Sequence, residues 1–491
     1  MRKRFEQQFV LGRLLIEDTK IPTAKRSGAL PALFAALKKI FTTPEYNEKV
    51  FEVLEKKIYP VNNKTGRPGM DLWQIFVLSQ VRLCNNISYD QLHYMANHDI
   101  IIRQLLGIET DPSFREKSSL ENSEIAYQNI KDNLDLLDDK TVKELNEIIV
   151  LFGHQTFKKK EEEALRLKTD SLVVESNVHF PTDYNLLWDS ARKCLDMISK
   201  LEKKEALEGW RKSKHWYRAL KNKMRALGKA SSSGGKGKTE RVANAVEDYL
   251  TKAKALLTKL KKDIDNLPQN DLKSLAIVME LERFMELLEK HIDLLERRLV
   301  KGEKIPHEEK LFSIFEQYTE WVNKGKKNPS VELGKKVAIT TDQYNLILDY
   351  QVMEEESDSQ IVSDLAKRIT PNYRIKSWSF DKGFWHKDNK ELLSNHVETL
   401  VMPKKGKCNK AEAEEQSKAL FKKLRNKHSA VESNINELEH RGLDRCPDKG
   451  YPNFKRYIGL SICAYNLKKI GVKLLEQMRN EEAAVKKRKA A

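Results

Sequence analysis

From Val242 to Leu299 apolar residues return every three or four positions, and the pattern breaks once. Val246, Tyr249, Ala253, Leu256, Leu260, Ile264 and Leu267 form one stripe; Val278, Leu281, Phe284, Leu288, Ile292, Leu295 and Leu299 form a second. Between them Asn266-Leu267-Pro268-Gln269-Asn270 reads as a turn. This spacing keeps apolar side chains on one face of a helix. The segment therefore predicts an antiparallel helical hairpin. Chain breakers are scarce throughout: 20 Gly and 14 Pro in 491 residues, where average usage would bring nearly twice as many. The chain is helix-rich, and its length suggests about three domains.

Residues 1–155 also read as helical. Asp71–Asn85 carries apolar residues at helical spacing, Ser88 with Gln91 forms a capping-box start for a helix ending near Asn97, and Asp99–Leu106 stops at Gly107. Short helices with tight connections fit a helix-turn-helix-like module, and equally any small helical bundle. Residues 165–178 change to strand material, and Pro181-Thr182-Asp183 opens the next helix. Residues 191–330 are a long helical section, with Ala230–Gly235 read as a flexible linker. Strands return at Val337–Thr341, Tyr344–Met353, Arg374–Phe380 and Glu398–Met402, with a helix capped by Asp358-Ser359 between the second and third. A long helix follows over Glu412–His440, ended by Gly442, and a last one over Lys455–Leu475. The basic tail, with Lys486-Lys487-Arg488-Lys489, reads as disordered.

The net charge is +17, from 89 Lys and Arg against 72 Asp and Glu. Such an excess points to a polyanionic partner, most simply nucleic acid. No apolar run approaches the roughly 18 residues of a membrane span, and no apolar core follows the basic start, so neither a span nor a secretory signal is expected. Cys84, Cys194, Cys408, Cys446 and Cys463 are scattered and contain no C-x-x-C. That favours a reduced cytosolic setting over a zinc site or disulfide frame. No P-loop, nucleotide-binding G-x-G-x-x-G or H-E-x-x-H motif is present.

Three acids stand in unusual places. Asp170 lies inside a predicted strand, Asp381 at the end of another just before Lys382-Gly383, and Glu432 on a helix. A carboxylate is disfavoured in an apolar strand unless it is paired, at an edge or bound to a cation. Carboxylates from two strands and a helix can hold two divalent ions about 4 Å apart, an arrangement suited to phosphodiester chemistry. Hard oxygen ligands suit magnesium or manganese. The spacing alone also fits capping or surface acids.

The surrounding blocks carry a resemblance. DSLVVESNVHFPTD (residues 170–183), FDKGFW (380–385) and RNKHSAVESNINELEHRGLDRC (425–446) resemble the first-aspartate, second-aspartate and glutamate blocks of bacterial insertion-sequence transposases of the DDE type, most closely the ISNCY group. The resemblance covers roughly residues 160–190 and 335–470. It implies an α+β, helix-rich chain. A ribonuclease H-like mixed-sheet catalytic core would occupy residues 156–190 and 331–475, and an N-terminal helical DNA-end-binding domain residues 1–155. The helical section departs from the family's pattern and reads as a large all-helical insertion over 191–330, and a basic tail covers 476–491. The resemblance further implies Asp170, Asp381 and Glu432 as catalytic metal ligands for two Mg2+ or Mn2+ ions, double-stranded DNA as partner, a homodimer or larger assembly on DNA, and a cytoplasmic, nucleoid-associated bacterial protein.

Residues 201–240 hold twelve Lys or Arg against four Glu, a net +8, with Trp210, Trp216 and Tyr217 interleaved. Cations such as Lys214 and Arg218 would meet phosphates while Trp216 stacks on unpaired bases. Alternatively the aromatics pack inward on an amphipathic helix and only the lysines face solvent. Arg425 and His428 fall on the face of Glu432 if one helix carries all three, and resemble the family's basic residue before the glutamate. His428 reads equally as a helix-surface residue. Arg441, Lys404, Lys405 and Lys407 are further candidates for phosphate contact.

Overall fold

The computed structural model describes residues 4–5, 14–25, 28–58, 69–108, 124–211, 213–323 and 330–490. Met1–Lys3 of the basic start, and Lys212, lie outside the described residues. The chain divides into two compact units, one of Met1–Asn177 with Val322–Ala491 and one of Val178–Trp321.

The first unit begins with helices α1 (Leu30–Phe41), α2 (Pro44–Ile58), α3 (Leu72–Cys84), α4 (Tyr89–His98), α5 (Ile100–Leu105), α6 (Tyr127–Leu134) and α7 (Asp139–Thr156). Their starts follow the local chemistry. Gln74 and Asp71 form a capping box on α3, Ser88 and Gln91 one on α4, and Asp99 caps α5 by accepting from the Ile102 amide at 2.9 Å. Strand β1 (Leu165–Glu175) follows.

The second unit is helical: α8 (Asp183–Glu202), α9 (Ser213–Ser232), α10 (Lys238–Asp263) and α11 (Leu272–Leu299). Thr182 caps α8 and Asp271 caps α11. The two apolar stripes become α10 and α11. They close with α8 and α9 on a core that includes Leu187, Met197, Tyr249, Leu256, Leu281 and Leu288.

The chain returns through β2 (Glu320–Asn323), β3 (Val331–Thr341), β4 (Ile347–Val352), α12 (Val362–Ile369), β5 (Ile375–Phe380), α13 (Lys387–Ser394) and β6 (Val397–Val401). It ends with α14 (Lys410–Ser417), α15 (Ala419–Lys427), α16 (Ser429–Leu438), a π-turn (Glu439–Leu443) and α17 (Tyr451–Ala490). β1 is central, antiparallel to β3 on one side and parallel to β5 on the other. β4 extends the sheet antiparallel to β3, and β6 extends it parallel to β5. β2 pairs with β3 as well. The result is a mixed sheet in a helix-rich α+β unit. One face buries Leu165, Leu167, Trp378 and Phe380 with Leu365 and Ile369 of α12. Gly334 is required where β3 passes β1, because a Cβ there would meet the Val174 carbonyl oxygen at 1.9 Å.

Four sequence expectations are corrected. The single helix over Glu412–His440 is three helices, since Lys418 takes an extended ψ of 138° and the chain bends at His428, where the Val431 amide bonds back only three residues. The tail is helical rather than disordered: α17 continues unbroken to Ala490 through a run that lacks Gly and Pro after Gly471. The Ala230–Gly235 linker is half helix, with α9 running to Ser232 and a short turn at Gly235 and Gly237. Asp358 caps nothing, because α12 starts from Ile361 without a side-chain cap.

Candidate active site

β1 carries Asp170 to the centre of the sheet. Its register with β5 sets Lys168 beside Ser379 and Thr169 beside Phe380. Asp381 follows Phe380 directly, so the next step of that register sets it beside Asp170, on the same face of two parallel strands. The chain then turns off through Lys382–Phe384, leaving Asp381 exposed. Glu432 is exposed in the first turn of α16, the helix lying against β1.

Asp170 feels the other acids around it. The Asp170 carboxyl is pushed up to about 6 by burial, with the charges of Asp381, Glu432 and Asp358 adding to the rise. A hydrogen bond from the Ser171 amide to Asp170 Oδ1, 2.8 Å, opposes it. Among the described residues no Lys or Arg forms an ion pair with Asp170, Asp381 or Glu432. An unneutralised, all-oxygen donor set of this kind fits a hard divalent cation such as Mg2+ or Mn2+. As they stand, no three His, Cys, Asp or Glu side chains among the described residues are arranged to hold one ion.

Asp358 is a member of this cluster that sequence reasoning missed. Ser171 Oγ donates to its Oδ1 at 2.9 Å and Lys336 Nζ lies 3.2 Å from its Oδ2. A Cβ on Gly383 would come within 2.8 Å of the same oxygen. Asp358 thus ties β1, β3 and the exit from Asp381 together. Its place in a loop between β4 and α12 gave no periodic signal that could have marked it.

The proposed DNA contacts divide. Arg425 is exposed but sits on α15, before the bend, so the single face shared with Glu432 is lost. His428 is buried rather than on a helix surface. Its Nδ1 lies 3.0 Å from Ser379 Oγ, its Nε2 has no partner among the described residues, and burial holds the imidazole below its ordinary 6.5. An imidazole held neutral near pH 7 is a poor standing partner for phosphate. Arg441 is engaged internally, donating to the Cys84 carbonyl at 2.8 Å and to Glu437 at 3.4 Å. Lys404 bonds both oxygens of Glu412, at 2.9 and 2.8 Å, and lies over Trp385. Lys405 and Lys407 are exposed. In the helical unit Lys214 and Arg218 are exposed, but Trp216 packs against the core with Lys252 3.8 Å above its ring. The inward packing of the aromatics, not base stacking, is what the fold adopts; Trp210 is buried and Tyr217 meets Trp188 edge-on.

Other acids have structural work. Asp342, fully buried, accepts from His154 Nε2 at 2.7 Å and from the Tyr344 and Leu346 amides in the β3–β4 turn. Asp349 pairs with Arg368 at 2.8 Å. Among the described residues no helix is long and apolar enough to cross a membrane.

No curated protein and no solved structure matches this chain. Residues 299–467 match the family described as the transposase DDE domain. That segment, about a third of the chain, contains β3 to β6, Asp381 and Glu432, and begins beyond Asp170. The chain thus carries a segment similar to the catalytic domain of DDE-type transposases.

Proposed function

We propose that this protein is the transposase of a bacterial insertion sequence, akin to the ISNCY group and working on the nucleoid. On this reading it binds the terminal inverted repeats, cleaves DNA at the element ends and joins the freed 3′-hydroxyls to target DNA. The N-terminal helices would recognise the repeats. Two ends must be handled together, so at least two copies act on DNA. The observation that carries the reading is the side-by-side setting of Asp170 and Asp381 on the face covered by the Glu432 helix, within and beside a segment that matches the transposase DDE domain.

Asp170, Asp381 and Glu432 are the residues that would hold two divalent ions. When bound, such ions supply activation of the attacking water or 3′-hydroxyl and stabilisation of the leaving oxygen. The protein's own groups prepare the site. The Ser171 amide fixes one oxygen of Asp170. The strand exit at Lys382–Phe384 leaves Asp381 open to a phosphodiester. Asp358, bonded to Ser171 and Lys336, ties β1 to β3 beside Asp170. No side-chain nucleophile is required, because water and the DNA 3′-hydroxyl attack in turn.

The test is a strand-transfer assay with magnesium on DNA carrying the element ends. Joined product supports the proposal. Cleavage without joining points instead to a metal-dependent nuclease. DNA binding with neither reaction points to an inactive transposase-derived binding protein. Inverted repeats close to both ends of the gene are the matching genetic observation, and their absence counts against an insertion-sequence origin.

A further inference from the structure

The aromatics of the basic segment turn inward, and that changes what its cations do. On α9 the inner face carries Trp216, Leu220, Met224 and Leu227. The opposite side carries Lys214, Arg218, Lys221 and Arg225, spaced four, three and four residues apart, which is one helical stripe. All four line a single groove of about 510 Å³ that α9 forms with α8. Lys214, Arg218 and Arg225 are exposed, and Lys221 is half-buried with its Nζ 5.6 Å from the Tyr217 ring centre. None of the four forms an ion pair among the described residues, whereas neighbouring Lys204 and Lys223 pair with Asp271 and Asp248.

Eleven residues of helix advance about 16 Å. That length lets the four cations reach several phosphates of a duplex backbone. Tyr217 also lines the groove, but it is half-buried and packed edge-on against Trp188, so it offers unpaired bases a poor stacking platform. We propose that this groove holds the phosphate backbone of duplex DNA without reading its sequence, giving the helical unit a DNA-tracking surface of its own. The proposal rests on the transposase reading for its partner, and on the stripe alone for its location.

The experiment is a salt titration of full-length protein binding to a mixed-sequence duplex. It compares wild type with the quadruple variant Lys214→Gln, Arg218→Gln, Lys221→Gln, Arg225→Gln. Each neutralised phosphate contributes about 0.9 to the slope of log K against log salt, so the variant's slope should be shallower by roughly 3–4. The Lys214→Gln/Arg218→Gln and Lys221→Gln/Arg225→Gln pairs should each remove about half of that, which keeps the test available if the quadruple variant folds poorly. A control with Lys262, Lys273, Lys301 and Lys304, all exposed on the same unit, changed to Gln should keep a slope nearer wild type. A stripe variant no shallower than that control overturns the proposal and leaves the transposase reading standing. So does a loss confined to single-stranded DNA, or a loss seen for end-containing DNA but not for mixed sequence. Wild-type protein that binds no duplex overturns both.

Discussion

Asp381 stands one residue beyond Phe380, the parallel-register partner of Thr169, and this makes it the lateral neighbour of Asp170. Two acids brought together by strand register cannot relax apart without breaking the β1–β5 ladder. The Asp170 carboxyl is raised chiefly by its burial in the sheet, and the charge of the neighbouring Asp381 adds to the rise. If they hold the metal ions as proposed, Asp170→Asn, Asp381→Asn and Glu432→Gln should each lower magnesium-dependent cleavage of end-containing DNA by about 100-fold or more. Duplex affinity without metal should be unchanged or slightly higher, since a negative charge is removed. Cleavage that survives all three changes would remove these residues from the chemistry.

Glu437 on α16 links the Glu432 helix to α17. Burial by itself would raise its carboxyl, but hydrogen bonds from Lys468 and Lys469 outweigh that and hold it at about 2 instead of 4.5. A depressed folded-state value means stabilisation that is complete above about pH 4.5 and lost as pH falls toward 2. The side chain is 23% exposed, so screening trims the contribution to about 1–2 kcal/mol. Glu437→Gln should therefore unfold at lower urea concentration than wild type at pH 7. The gap should close as pH approaches 2, and a gap that stayed constant with pH would contradict the assignment.

Much of the fold was legible because it rests on local signals. The capping box at Ser88 and the two stripes of α10 and α11 are short-range patterns, and the structure keeps them. What the sequence could not show depends on contacts between distant segments. The bend at His428 is fixed by a buried bond to Ser379, 49 residues away. Asp358 joins the acid cluster only because Ser171, 187 residues away, reaches it. The lysines and aromatics of residues 201–240 were visible, but which side each takes follows from the core of the helical unit, not from their order.

Arg425 and His428 look alike in sequence as basic residues before Glu432, and the fold separates their roles. Arg425→Ala removes an exposed cation on α15. Where it meets a phosphate, the salt slope of DNA binding should fall by about 1, with stability unchanged. His428→Ala removes a buried ring and its bond to Ser379 Oγ. It should cost about 1–3 kcal/mol of stability with no change in salt slope. Urea denaturation read beside the salt titration distinguishes the two, and a His428→Ala variant of full stability with a reduced slope would return the imidazole to the DNA surface.

The turn after the Glu432 helix is locked to the end of α3, and Gly442 is its tightest point. Gly442 has φ of 96°, and a Cβ there would meet Asn86 Nδ2 at 1.9 Å. Tyr457 Oη lies 2.8 Å from the Gly442 carbonyl oxygen and 2.9 Å from Asn86 Oδ1, its one proton shared between them. Arg82 holds Asp448 with two bonds, at 2.9 and 2.6 Å. Gly442→Ala should destabilise the protein by about 2–4 kcal/mol, combining left-handed strain with a steric clash. Asn86→Gly added to Gly442→Ala removes the clash and leaves the strain, so it should recover part of that loss and not all of it. Because α16 leads straight into this turn, cleavage by Gly442→Ala should also fall more than DNA binding at temperatures where the variant remains folded. Equal losses of cleavage and binding would show that the turn supports the unit as a whole rather than the setting of Glu432.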